Sequence, residues 1–127
     1  MMSKLLFTKD HEWLKIEGDT AYVGITEYAQ SQLGDIIFVE LPGENEKFNS
    51  NDVFGTIEAV KTVADLFMPV TSEIIEINPE IENSPELINE DAENNGWIVK
   101  VKISNMDDIS NLLSHDEYQD MIKKYFN

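Results

Sequence analysis

Apolar and polar residues alternate along most of the first hundred positions, in short runs that turn residues interrupt. This alternation is typical of β-strands with one buried face. Two such runs, residues 12–16 and 21–25, flank Gly18 and predict a hairpin. Thr26 is placed to cap a short helix that ends at Gly34. Further strands are predicted at residues 35–41, 53–59, 63–68, 73–77 and 97–103.

The last quarter of the chain carries two apolar stripes at helical spacing. They are formed by Ile109, Leu112 and Leu113, and by Tyr118, Met121, Ile122 and Tyr125. Between them Ser114 and Glu117 have the spacing of a capping box, which indicates that a new helix begins there. Earlier in the chain, Ser84 followed by Pro85 predicts the cap and first position of a brief helical turn.

Together these patterns predict a mostly β protein with short helices, including C-terminal helices that pack on one face of a small β core. A chain of 127 residues has room for one domain with a real core and little more. No linker or low-complexity segment divides it. We expect a single domain over residues 1–127, with its core at about 7–104 and C-terminal helices at 107–125.

The charge of the chain restricts its partners. Nine lysines, with no arginine, stand against 25 acidic residues, which gives a formal net charge of −16. Such a surface repels phosphate backbones and anionic lipid, so no nucleic acid and no membrane partner is expected. Repulsion among copies favours a monomer, while steering toward basic patches on partner proteins is the other explanation of the charge. The N-terminus has no signal-peptide pattern, so the bacterial cytoplasm is expected, with a processed mitochondrial form as the open alternative.

Residue types that catalyse reactions or bind metals are scarce or badly spaced. There is no Cys, which removes thiolate nucleophiles and zinc clusters. The stretch that begins at Asp91 resembles a calcium loop, but Lys102 occupies the position of the required bidentate acid. His11 and His115 lie far apart and suit a strand entry and a helix N-terminus. With no phosphate loop or nucleophile motif either, we expect no metal site, no catalytic residue and no enzyme.

Residues 53–68 alternate, become polar for a few positions and then return to an apolar run, which predicts a hairpin with Lys61 at its crest. The alternation is between one set, Val53, Gly55, Ile57 and Ala59, and a second set, Phe54, Thr56, Glu58 and Val60, which is the period of a strand buried on one face. A lysine at this crest would be exposed on a rigid base. Taken by itself, the pattern favours an ordinary solubilising lysine on a loop.

The sequence around Lys61 resembles the lipoyl-lysine hairpin of glycine cleavage system H proteins. The residues that carry the resemblance are Gly55, Glu58, Val60, Lys61, Asp65 and Pro69, in the order and spacing of that family. Further blocks resemble the family in the same order, at residues 11–14, 23–30, 33–36, 38–42, 85–91 and 96–100. The resemblance covers residues 7–125 and turns a weak pattern into a specific one.

This resemblance implies a small lipoyl-domain-like barrel-sandwich hybrid with lipoate attached covalently to Lys61. It implies a non-catalytic shuttle that ferries the aminomethyl group from glycine decarboxylase to the folate-dependent aminomethyltransferase. The dithiol would then pass to dihydrolipoyl dehydrogenase. A lipoate ligase or octanoyltransferase would attach the cofactor.

The resemblance also implies roles for three acidic residues. Glu12 and Asp65 would line a cleft that holds the loaded arm and would offer carboxylates to its protonated amine. Ordinary surface acids are the alternative interpretation of both. Glu58, three residues before Lys61, would contribute to recognition by the lipoylating enzyme.

Other interpretations stay open at this point. An H-like protein that donates lipoyl groups to other complexes needs the same arm, and a structural interaction module would leave Lys61 unmodified. A biotin carrier uses the same hairpin, but biotinyl lysines usually lie between methionines, whereas Val60 and Thr62 flank Lys61. Ser72 departs from the glycine usual in the family, which matters only if its φ must be positive.

Overall fold

A six-stranded antiparallel sheet forms the larger part of the β structure. The computed structural model describes the backbone of residues 4–126 and the side chains of residues 4–124. The strands of this sheet are β1 (Lys4–Phe7), β2 (Glu12–Glu17), β3 (Thr20–Ile25), β5 (Lys47–Phe48), β8 (Ser72–Ile77) and β9 (Val99–Ile103). They lie in the order β1-β2-β3-β9-β8-β5. The strands β1 and β5 are too short to stand out in the sequence pattern.

A three-stranded antiparallel sheet contains the hairpin that carries Lys61. Its strands are β4 (Ile36–Glu40), β6 (Val53–Ala59) and β7 (Val63–Phe67), in the order β4-β6-β7. The bounds predicted for β6 are confirmed. The predicted alternation is wrong at its start, because a register shift between Val53 and Gly55 buries Phe54 and leaves Val53 exposed. A bulge of this kind moves the following side chains to the opposite face.

Buried side chains from both sheets form one hydrophobic cluster. It includes Leu14 and Ile16 of β2, Val23 of β3, Ile57 of β6, Leu66 of β7, Ile74 of β8 and Val101 of β9. Each sheet therefore turns one face toward the other, as in a β-sandwich. The prediction of a mostly β protein with short helices is confirmed, and its strands lie in two separate antiparallel sheets.

The predicted β2–β3 hairpin and the helix that follows it are confirmed. Gly18 occupies the turn with φ +67°, a conformation that glycine adopts without strain. Thr26 Oγ1 accepts a hydrogen bond from the Ala29 N–H at 3.1 Å and caps α1 (Glu27–Leu33). Gly34, at φ +79°, ends the helix as predicted.

The helix cap predicted at Ser84 is wrong. Ser84 instead ends α2 (Pro79–Asn83), and its backbone N–H donates to the Glu80 carbonyl. The next helix, α3 (Leu87–Glu90), begins two residues later than predicted, with Glu86 before it and no side-chain cap. The Ser84 carbonyl accepts from the Leu87 N–H at 3.0 Å, so a turn leads from Ser84 into α3, but the helix itself begins only after Glu86.

Ile109, Leu112 and Leu113 do not form one helical stripe as predicted. A 3₁₀ helix, Met106–Asn111, ends before the two leucines. Leu113 instead pairs with Phe7 of β1 through two backbone hydrogen bonds of 2.7 and 2.8 Å. The strand β1 lies at the edge of its sheet, so its unpaired backbone groups are available to this segment.

The capping box at the last helix, α4 (His115–Phe126), is confirmed. The Ser114 N–H donates to Glu117 Oε1 at 2.8 Å, and the Glu117 N–H donates to Ser114 Oγ at 3.2 Å. Tyr118 is buried in a second apolar cluster, whose other members are Phe7, Trp13, Tyr22, Trp97, Leu113, Met121 and Ile122. The predicted stripe thus packs on the β structure, apart from the Tyr125 side chain, which lies outside the described residues.

Candidate functional site

Lys61 lies at the centre of the three-residue turn that joins β6 to β7, and its side chain is exposed. The turn is held at its base, where the Ala59 N–H donates to the Thr62 carbonyl at 2.8 Å. The Val60 N–H donates to the Asp35 carbonyl at 3.0 Å, which ties the turn to the segment before β4. The lysine therefore projects from a fixed backbone into solvent.

A cleft of about 260 Å³ opens between α1 and the β6–β7 hairpin. The segment before β2, the helix α1 and the two hairpin strands contribute its walls. Residues that line it include His11, Glu12, Tyr28, Leu33, Ile57 and Asp65. Most of the surface of the cleft is apolar, although half of the residues that line it carry a polar group.

Glu12, the first residue of β2, is only 2% exposed. Thr8 Oγ1 donates a hydrogen bond to Glu12 Oε1 at 2.7 Å, and the Phe67 N–H approaches Oε2 at 3.5 Å. Burial raises the pKa of Glu12 to about 8, against the opposing effect of the Thr8 hydrogen bond and with a smaller contribution from the charge of Asp10. Most molecules therefore carry a neutral Glu12 at pH 7. The surface-acid interpretation of Glu12 is wrong.

The other two acidic candidates are exposed side chains on the two strands of the hairpin. Asp65 is an exposed residue of β7 that lines the same cleft as Glu12. Glu58 is exposed on β6, where it pairs with Phe38 of β4 on one side and Val63 of β7 on the other. The structure thus brings Glu12 and Asp65 to one cleft and leaves Glu58 outside it.

A hydrogen-bonded group that the sequence pattern does not reveal lies behind the cleft. The hydroxyl of Tyr118 is 2.8 Å from His11 Nδ1 and 2.6 Å from Thr26 Oγ1. His11 has φ +72° and Thr26 caps α1, so one hydroxyl joins two walls of the cleft. Burial raises the pKa of Tyr118 to about 12 and lowers the pKa of His11. The helical stripe predicts that Tyr118 packs inward, but nothing in the spacing predicts the partners of its hydroxyl.

The family model described as Glycine cleavage H-protein matches residues 5–125 of this chain. The chain belongs to that family. It is 52% identical over 116 residues to the glycine cleavage system H protein of Bacteroides fragilis, a match that covers 91% of this chain and 92% of the relative. It is 49% identical over 120 residues to that of Staphylococcus haemolyticus, covering 94% of this chain and 95% of the relative.

A solved structure of the glycine cleavage H-protein family has the same fold. The crystal structure of a glycine cleavage system H protein from Mycobacterium marinum superimposes with a TM-score of 0.87. The two chains are 32% identical in sequence, and the match covers 97% of this chain and 99% of the other. The arrangement of two sheets and short helices is therefore that of the family.

Ser72, which stands where glycine cleavage H-proteins usually have glycine, fits its position without backbone strain. Among residues 4–126, the non-glycine residues with positive φ are His11, Asn45 and Asn51. Ser72 is not one of them, and its Oγ donates to the Val70 carbonyl at 3.0 Å. The departure from the family pattern is therefore a local adjustment.

None of the helices within residues 4–126 is both long and apolar enough to cross a membrane. The same residues contain no group of three or more His, Cys, Asp or Glu side chains that could hold a metal ion.

Proposed function

We propose that this chain is the lipoyl carrier of a glycine cleavage system, with lipoate held as an amide on Lys61. The observation that carries the proposal is the exposed Lys61 on the fixed turn of a hairpin whose strands also line the cleft that contains the buried Glu12. An exposed amine suits an acylating enzyme, and a largely apolar cleft suits a hydrocarbon arm. When bound, the lipoyl group supplies a disulfide that takes up an aminomethyl group and passes it on.

The hairpin presents Lys61 and limits where it can reach. Hydrogen bonds at Ala59 and Val60 fix the backbone on the N-terminal side of the lysine. This rigidity restricts the volume that the side chain searches, while its exposure leaves it open to several enzymes in turn. Once the arm is attached, no residue of the chain needs to act as a nucleophile or general base, so we propose a non-catalytic carrier.

Glu12 and Asp65 are proposed to hold a protonated amine in the cleft. Burial keeps Glu12 neutral while no cation is near. A positive charge beside it favours the ionised carboxylate, so Glu12 releases its proton as the amine enters. The resulting charge-assisted hydrogen bond is strong in apolar surroundings. Asp65, exposed at the cleft wall, offers a second acceptor.

The same proposal covers the partner enzymes, the oligomeric state and the cellular location of the protein. Glycine decarboxylase, the aminomethyltransferase and dihydrolipoyl dehydrogenase are the enzymes expected to use the arm. A lipoate ligase or octanoyltransferase is expected to attach the cofactor. We propose that the whole chain acts as one monomeric carrier domain in the bacterial cytoplasm, in keeping with its net charge of −16.

Intact mass of the protein isolated from its native cell, followed by peptide mapping, tests the modification. The Lys61→Ala variant should keep the fold, lose the lipoyl mass and fail to support glycine–CO2 exchange with the decarboxylase. Lys123→Ala, which also removes one exposed lysine, is the matched control and should keep both properties.

Exchange activity in the Lys61→Ala variant would contradict the proposal directly. A modified wild-type protein that supports little exchange would instead favour a lipoyl donor for other complexes. A biotinyl mass would favour a biotin carrier, and unmodified Lys61 would favour an interaction module.

A further inference from the structure

Exposed apolar side chains concentrate around the turn that carries Lys61. Four of the eight large apolar residues that are exposed in the described part of the chain lie there. They are Ile37 (54% exposed), Phe38 (53%), Val60 (67%) and Val63 (60%), and we call them the hairpin patch. Apolar residues gathered on one surface mark an interaction site more often than isolated ones do.

The strand register places Phe38 and Val63 of the hairpin patch on the outer face of the three-stranded sheet, and Ile37 lies beside Phe38 at a register shift of β4. Phe38 pairs with Glu58 across β4 and β6, and Glu58 pairs with Val63 across β6 and β7. Directly opposite side chains lie about 5 Å apart, so Phe38, Glu58 and Val63 form one continuous row. The hydrogen bond from the Val60 N–H to the Asp35 carbonyl brings Val60 to the end of the same sheet.

The length of an unmodified lysine decides which enzyme must cover this patch. The Nζ of Lys61 reaches only about 6 Å from its Cα, judged from ordinary bond lengths. An enzyme that acylates this nitrogen must therefore bring its catalytic centre close to the turn itself. Val60 lies next to Lys61 and Val63 two residues beyond it, so the bound enzyme covers both.

The enzymes that react with the lipoyl arm after its attachment do not have to bring their catalytic centres close to the turn. The lysine stem and acyl chain together extend about 14 Å, so the reacting end works well away from the turn. We therefore infer that the hairpin patch is the docking surface for the enzyme that attaches the lipoyl group. This inference rests on the proposed function, because it requires Lys61 to be the attachment site.

The patch also indicates the chemistry of the partner surface. Glu58 lies between Phe38 and Val63, and the next row on the same face, Glu40, Thr56 and Asp65, adds two more acids. A cation that pairs with Glu58 therefore meets apolar neighbours across the strands and acidic neighbours along the sheet. A guanidinium suits this position because its planar fork can bind a carboxylate through two hydrogen bonds. We expect an apolar partner surface with a basic group at its centre, which also complements the net charge of −16.

The attachment reaction itself needs only the amine from this chain. The neutral Nζ attacks the acyl carbon of a lipoyl adenylate, the C–N bond forms and AMP departs with the bonding electron pair. The Nζ loses one proton to solvent or to the enzyme. The hairpin patch takes no part in these bond changes and acts only by holding the two proteins together.

A double variant, Phe38→Thr with Val63→Thr, tests the patch. Threonine keeps the β propensity of both positions while it removes apolar surface. The control is Val53→Thr, since Val53 is an exposed valine at the other end of the same hairpin strand. Urea unfolding of all variants establishes that each one folds.

Attachment is measured with a purified lipoate ligase, ATP and lipoate, by intact mass at protein concentrations below KM. We expect kcat/KM for the double variant to fall about 10-fold or more because KM rises, which corresponds to a loss of about 1.4 kcal/mol. The control should match the wild type. Each variant is then modified to completion with excess ligase and assayed for glycine–CO2 exchange, where the double variant should match the wild type.

Equal attachment rates for the double variant and the wild type would overturn the docking surface while leaving the proposed function intact. An equal loss in the control would also overturn it, because the effect would not belong to the patch. If the fully modified double variant loses exchange activity, the patch serves an enzyme that uses the arm and our assignment of its occupant is wrong. A wild-type protein that is never modified on Lys61 would remove the proposed function itself.

Discussion

Replacing Glu12 with glutamine should stabilise the folded protein at neutral pH, by an amount that depends on pH. Burial raises the pKa of this carboxyl from 4.5 to about 8. Below pH 4.5 the folded and unfolded chains both hold the proton, so the raised pKa has no effect on stability. Above that pH the unfolded chain loses its proton while the folded chain keeps it, and the free energy of unfolding falls until the pH passes about 8.

The size of the effect follows from the same shift. Each pH unit inside this window lowers the free energy of unfolding by about 1.4 kcal/mol, so the full effect at pH 7 is about 3 kcal/mol. Glutamine is close in shape, never ionises, and keeps an oxygen that can accept the Thr8 hydrogen bond. The variant should therefore exceed the wild type in stability by an amount that grows by roughly 3 kcal/mol between about pH 5.5 and pH 7.5.

Urea unfolding, followed by the fluorescence of the buried Trp13, measures this difference at a series of pH values. Glu58→Gln removes the same formal charge from an exposed position and reports the effect of net charge alone. A difference between Glu12→Gln and wild type that stays constant from about pH 5.5 to pH 8 would refute the assigned burial of an ionisable group. The variant should also bind an amine-bearing arm less well in the cleft, because glutamine cannot become negative.

Two further substitutions test the packing around the cleft and the last helix. Tyr118→Phe keeps the ring but leaves His11 and Thr26 without their shared hydroxyl. The free energy of unfolding measured by urea titration should therefore fall by about 1–3 kcal/mol. A loss below about 0.5 kcal/mol would mean that the hydrogen bonds of this hydroxyl contribute little to stability. Ser114→Ala removes the capping hydroxyl that accepts from the Glu117 N–H. The free energy of unfolding should fall by about 0.5–2 kcal/mol, which thermal unfolding can detect. No change would show that the capping box at the start of α4 does not persist in solution.

Local chemistry in the sequence is enough to predict several elements of this protein. The β2–β3 hairpin follows from two alternating runs around Gly18, and α1 follows from a capping threonine and a terminating glycine at the right spacing. The start of α4 follows from Ser114 and Glu117, three residues apart. These signals work because each one involves backbone groups within a few residues of the side chain that satisfies them.

The sequence also predicts an exposed Lys61, because a lysine between two strands has few other places to lie. It does not predict which residues are buried when a strand departs from strict alternation, as the bulge at Gly55 shows. Nor does it predict that Leu113 pairs with Phe7, since the partner is an open strand edge more than a hundred residues away.

The sequence by itself thus determined the β2–β3 hairpin, the caps of α1 and α4, and the family that the residues around Lys61 indicate. Only the tertiary structure decided that Glu12 is buried, because the strand β7, some 55 positions further on, approaches it at Phe67. The same is true of Tyr118, whose hydroxyl meets His11 across 107 positions. Periodicity reports which face of an element turns inward, but the polar environment of a buried group depends on elements that only the packed fold brings together.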